Sequence, residues 1–241
     1  MIVLLIARRE INQALKTWSG YIIGASLLLL SGLLYNVLGV GAVPQYSRDV
    51  LANAYYFLSG TSLVAGILFA MRLVAEERQT GSLPLLSSSP ISDGQLVVGK
   101  FLGGFVSVAL FVACTLYIPL LVWIRGNVTV GHIVAGHFGL LLIGAAGVSI
   151  GLLGSVLFRS QLLAAIVSGV IAVVMLVLWP AKRLIDGPLG DVIGAMALHD
   201  RHFRPFMDGT ISLANVVYYG SVIAFFLVLS RNVMEAKRWR G

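Results

Sequence analysis

The sequence predicts an all-α integral membrane protein with six transmembrane helices. Three observations carry that expectation. Of the 241 residues, 58% are hydrophobic and 11% are charged, against roughly 45–50% and 25% in soluble globular domains. The apolar residues gather into six runs of about 20, the length that crosses a hydrocarbon core of ~30 Å. The charged residues fall between these runs or at their ends. A soluble fold of this length could not hide so much apolar surface, whereas a bilayer can.

The elements follow in order. Residues 1–17 place apolar MIVLLI ahead of Arg8-Arg9, the reverse of a secretory signal peptide. Ile2, Leu5, Ile6 and Ile11 recur at roughly helical spacing with Arg8, Arg9 and Lys16 between them, which predicts an amphipathic helix lying on the membrane surface. The first span, Trp18–Val40, carries no charge, and the second, Ala54–Val74, has Arg72 at its end. Residues 75–100 form a cytoplasmic connection. The third, fourth and fifth spans are Phe101–Trp123, His132–Phe158 and Leu162–Pro180. Residues 181–210 make an external segment in which Leu189–Phe206 predicts one amphipathic helix, and the sixth span is Ile211–Ser230. No internal repeat divides residues 1–241, so they read as one membrane domain. Cys114 is the single cysteine, so no internal disulfide can form.

Six spans put both termini on one side. With the termini inside, 11 of the 17 Lys and Arg residues are cytoplasmic and 6 are external, which favours cytoplasmic termini and a multi-pass protein of the inner membrane. The net charge of +7 is then a topology signal and a contact with lipid headgroups, not a nucleic-acid footprint. The ending RNVMEAKRWRG, with Trp239 among cations, fits an interfacial anchor.

Residues 94–101 read GQLVVGKF, one residue short of the phosphate-cradling pattern G-x-x-x-x-G-K-[ST]. Phe101 stands where a hydroxyl would ligate magnesium, and Leu96, Val97 and Val98 fill the loop with bulk. Ser92 followed by Gln95 is a capping box that starts a helix at Asp93. The stretch therefore predicts the first turns of the third span, with Lys100 snorkelling to the headgroups and Gly99 and Gly103 forming a packing face. No acidic residue lies inside any span, and His137 is the one deep histidine, so no ion relay is evident. GVSIG at 147–151 imitates a nucleophile elbow, but no base faces Ser149. Gly147, Gly151 and Ser155 form a small-residue ridge instead, as do Gly20/Gly24 and Ala164/Ser168/Ala172. His199 and His202, with Asp200 and Asp208 near, could ligate a metal. Solvated loop histidines are the commoner reading, and no catalytic, cofactor-binding or metal site is predicted.

Residues 75–93 read AEERQTGSLPLLSSSPISD. Glu76 and Glu77 close the second helix, and Thr80-Gly81 breaks it, glycine supplying a left-handed cap. Ser82 can cap a short helix carrying Leu83, Leu85 and Leu86, with Pro84 in its first turn and Pro90 ending it. Two readings are open on physics alone: an interfacial loop burying three leucines in lipid, or a peg docked into a cytoplasmic partner.

The run EERQTGSLPLLSSSPISDGQLVVGKFLG closely resembles a segment of ABC-2-type transporter permeases. That segment reads acidic-acidic-basic-x-Thr-Gly-Ser/Thr-x-x-x-Leu, then Ser-Pro-hydrophobic-Ser/Thr, then Gly-Lys before the third span. IARREINQALKTWSGYIIGASLLLLSGLLY resembles the family's connecting helix and first span, and HFRPFMDGTISLANVVYY its external segment before the last span. Within the family, the chain looks like permeases of the gliding-motility and copper-enzyme-maturation type. Pro84 departs from the family, which usually has an acidic residue there. The resemblance implies that Glu76–Pro90 is a coupling helix touching a separate ATP-binding ABC ATPase subunit through Glu76, Glu77, Thr80, Gly81, Ser82, Leu83, Leu85, Leu86, Ser89 and Pro90. ATP and magnesium would be bound by that subunit and by nothing in this chain, which is itself no enzyme. It further implies pairing with a second permease copy or a paralogue, with the first and fifth spans at the interface. The function implied is export or extraction of a substrate across the cytoplasmic membrane. The alternative is an ATP-driven mechanical device pulling on a periplasmic or envelope partner.

Overall fold

The structure, a computed structural model, describes residues 2–39, 46–81, 91–126, 128–182 and 187–238. Eleven α-helices account for most of these: α1 (Ile2–Lys16), α2 (Trp18–Leu34, followed by a π-helical turn Tyr35–Gly39), α3 (Ser47–Ala70), α4 (Ala75–Gln79), α5 (Asp93–Cys114), α6 (Tyr117–Arg125), α7 (Val130–Leu157), α8 (Gln161–Lys182), α9 (Pro188–Ala195), α10 (Arg204–Met207) and α11 (Leu213–Arg238). No strand occurs among the described residues. Six helical stretches are long and apolar enough to cross a membrane: Trp18–Gly39, Ser47–Gln79, Asp93–Ile124, Val130–Leu157, Gln161–Lys182 and Leu213–Arg238. The predicted spans thus recur, with longer second and third stretches that reach to Gln79 and back to Asp93.

The second and fourth of these stretches are 72% and 83% buried inside the chain, the first and fifth only 17% each. So α3 and α7 form the centre, and α2 and α8 lie outside. In lipid there is no hydrophobic drive to pair helices, so the central pair must gain by close packing. Small residues provide it. A Cβ added at Gly147 would lie 2.5 Å from Leu63 O, and one at Gly151 2.8 Å from the Ala70 Cβ. Ser62 Oγ donates to Leu140 O across the same seam at 2.9 Å. The predicted ridge Gly147/Gly151/Ser155 therefore faces α3. The ridge Ala164/Ser168/Ala172 is buried too, and Ser168 Oγ donates to Ile150 O of α7 at 3.2 Å. Gly20 packs on the Ala14 backbone, while Gly24 has open space beside it.

The external segment departs from the single helix predicted over Leu189–Phe206. It is broken into α9 and α10: beyond Ala195 the chain leaves the helix, Leu198 N donating to Met175 O of α8 at 3.1 Å, and Pro205 sits in the first turn of α10, where its missing N–H is tolerated. Side chains fasten it to the bundle. His132 Nε2 donates to Met207 O at 2.6 Å, and Tyr219 OH donates to Leu198 O at 2.8 Å. His199 and His202 go separate ways: His199 Nε2 lies 2.6 Å from Ser59 Oγ on α3, and His202 stacks on Tyr218 of α11 with centroids 3.6 Å apart. Burial pulls the His199 imidazole below its usual range, against the opposing charge of Asp200. Deeper in, Tyr55 OH meets His137 Nδ1 at 2.9 Å.

Candidate functional site

The chain's buried charge is concentrated where α1, α4 and α5 meet. α1 turns Ile6, Ala7, Glu10 and Ala14 inward, leaving Ile2 and Leu5 exposed. The face it buries is therefore narrower than the apolar face read from the sequence. It lies against Gly99 and Gly103 of α5, where an added Cβ would come 2.8 Å from the Ile6 Cβ and 2.5 Å from the Glu10 Cβ. The G-x-x-x-G face thus brings α1 close and sets Glu10 beside Lys100.

Lys100 is 0% exposed, which corrects the expectation that it snorkels to the headgroups. Its ammonium lies 2.9 Å from Glu10 Oε1 and 2.8 Å from Glu77 Oε1 and donates to Leu73 O as well. An ammonium has three protons, and these three acceptors take them all. Arg9, half-exposed, closes the network by pairing with Glu77 and, at 3.6 Å, with Glu10. Two cations and two carboxylates balance, which is the condition under which buried charge persists.

The same residues support a break in the second span. α3 ends at Ala70, a turn follows, and α4 begins at Ala75. Lys100 takes the Leu73 carbonyl. Ser155 Oγ of α7 accepts from Val74 N and Ala75 N, each at 2.9 Å. Arg72, 7% exposed, donates to Thr17 Oγ1 at 3.2 Å and Ser19 Oγ at 2.7 Å at the α1–α2 elbow. Gln13 donates to Glu76 at 2.9 Å. Residues 71–79 are thereby tied to α1, α2, α5 and α7. Ser155→Ala should orphan two buried N–H groups and cost about 1–3 kcal/mol, read as a lower melting midpoint of the purified chain in detergent.

The predicted contact residues fall in different places. Glu77 is buried in the network, and Glu76 is half-buried on Gln13. Thr80 and Gly81 are exposed, with Gly81 at φ +71°, the left-handed stop its sequence predicts. Ser82, Leu83, Leu85, Leu86, Ser89 and Pro90, hence the predicted coupling helix itself, lie outside the described residues. The helix resumes as predicted: Ser92 Oγ accepts from Gln95 N, and Gln95 Oε1 accepts from Ser92 N, both at 3.2 Å. GQLVVGKF is helical throughout and makes no phosphate-binding loop. Ser149 is buried and donates to Ala146 O of its own helix at 2.8 Å.

In a comparison with known families, the family described as ABC-2 family transporter protein matches residues 4–184. The chain belongs to the ABC-2 transporter family. No curated protein matches it. The match spans α1 to α8 and so contains the whole charge network. This ABC-2 protein is a multi-pass membrane protein and a permease subunit of an ABC transporter, a component of membrane transport. Membership implies an ABC ATPase as partner and pairing of permease subunits.

Proposed function

We propose that this chain is the membrane half of an ABC exporter, moved by a separate ATPase that docks on Glu76–Pro90 from the cytoplasm. Two such subunits, identical or paralogous, pair with two ATPase subunits, which bind the ATP and magnesium. The chain spans the inner membrane with both termini in the cytoplasm. One observation carries the reading: Lys100, fully buried, holds carboxylates from α1 and α4 at 2.9 and 2.8 Å. Separating these charges in a site shut off from water is costly. A push on the loop is therefore passed to α1 and α5 rather than absorbed by local bending, and the α3–α7 seam carries it toward the external segment. Export or extraction of a substrate is the direction that the family resemblance suggests.

The test is association and turnover of the ATPase complex reconstituted in lipid nanodiscs. Leu85→Asp and Leu86→Asp should each weaken ATPase association about 30-fold, the effect of losing an interface hot spot of about 2 kcal/mol, and abolish substrate-stimulated hydrolysis. The chain alone should show no ATPase activity. Unchanged association and stimulation in both variants would rule out docking through this loop.

A further inference from the structure

A second group of charges has no ion-paired carboxylate among the described residues. Val156 O, in the last turn of α7, accepts from Arg78 Nη1 at 2.6 Å and from Lys237 Nζ at 3.0 Å. Lys237 also donates to Leu157 O at 2.6 Å. Arg159, exposed on the turn after α7, lies within electrostatic reach of both. The three come from α4, from the α7–α8 turn and from α11. A helix C-terminus offers about half a negative charge, which two cations already exceed. None of the three forms an ion pair with a carboxylate among the described residues. Of the carboxylates on these and the neighbouring elements, Glu77 is engaged by Lys100, Glu76 by Gln13 and Asp93 by Arg238, and Glu235 of α11 lines one surface with Asp93, Arg231 and Arg238.

The surface beside these cations is apolar. α8 begins two residues after Arg159 and exposes Leu162 by 69%, Leu163 by 48% and Ile166 by 51%. A cationic seat thus stands at the foot of an exposed apolar strip. A ligand with an anionic phosphate and long hydrocarbon chains matches both parts. We infer that Arg78, Arg159 and Lys237 bind the phosphate of an anionic phospholipid whose acyl chains lie along the first turns of α8. The bound headgroup would bridge α4, the α7–α8 turn and α11, stiffening the segment that enters the loop between the second and third spans. The site stands on the local geometry and does not depend on ATPase docking.

The test uses the full chain purified in mild detergent, with phosphatidylglycerol as the probe and native mass spectrometry as the readout. Arg159 and Lys237 are exposed, so Arg159→Gln/Lys237→Gln should keep the parent's melting midpoint. It should retain phosphatidylglycerol about 30-fold less, since each surface cation contributes about a fivefold factor in binding anionic lipid. If the double variant melts early, Arg159→Gln alone should show about a fivefold loss. Equal lipid retention in parent and variant would overturn the inference. So would inorganic phosphate displacing the lipid, which would mark a free-anion site. Lipid retention that is unchanged while ATPase association falls would overturn it too, and would assign the cations to an acidic partner surface.

Discussion

Lys100→Met should destabilise the chain by about 3–5 kcal/mol, which lowers the melting midpoint in detergent by roughly 10 °C. The methionine fills most of the volume, so the loss is electrostatic. Glu10 and Glu77, 6% exposed each, would lose the buried cation between them, and Arg9, which pairs with both, is half-exposed. The Leu73 carbonyl would also lose its donor, in the turn that separates α3 from α4. The companion measurement removes the carboxylates. Lys100→Met combined with Glu10→Gln and Glu77→Gln should recover much of the loss, because neutral groups of the same shape relieve the uncompensated charge. Single and combined effects should therefore fail to add. If Lys100→Met melts with the parent, the buried network does not hold α1 and α4 to α5.

That network also marks the limit of what the sequence discloses. The spans are legible because hydropathy over 20 residues is a local property, and their six runs reappear as six long helices. The start of α5 is legible because its capping box lies within four residues. Lys100 is different: its partners are 90 and 23 positions away, and nothing local separates a snorkelling lysine from one buried in a charge cluster. A signal was present in Glu10. It shares the α1 face with Ile6, Ala7 and Ala14, and an acid on a buried stripe requires a cation opposite. The single helix expected over Leu189–Phe206 fails to form for a related reason. Its apolar residues keep helical spacing, but long-range bonds from His132, Ser59 and Tyr219 set its path.

Gly147→Val should prevent the folded chain from forming, seen as loss of the monodisperse peak in size-exclusion chromatography, and Gly147→Ala should cost about 1–3 kcal/mol. An added Cβ at Gly147 lies 2.5 Å from Leu63 O and 3.3 Å from Gly66 Cα. At Gly66 it lies 2.7 Å from Val148 N. These neighbours are main chain, and both helices are held at other points, by Ser62 to Leu140 O and by Ser155 to the turn after α3. Neither can give way like a side-chain tip, so the helices must move apart and lose dispersion along the whole seam. Gly169 on α8 supplies the contrast. Nothing lies within 4 Å of a Cβ there, so Gly169→Ala should be neutral or stabilising by up to about 1 kcal/mol through helix propensity. Equal tolerance at Gly147 and Gly169 would mean that α3 and α7 are not in backbone contact. A force applied at the Glu77 end of α4 would then have no rigid path to the external segment.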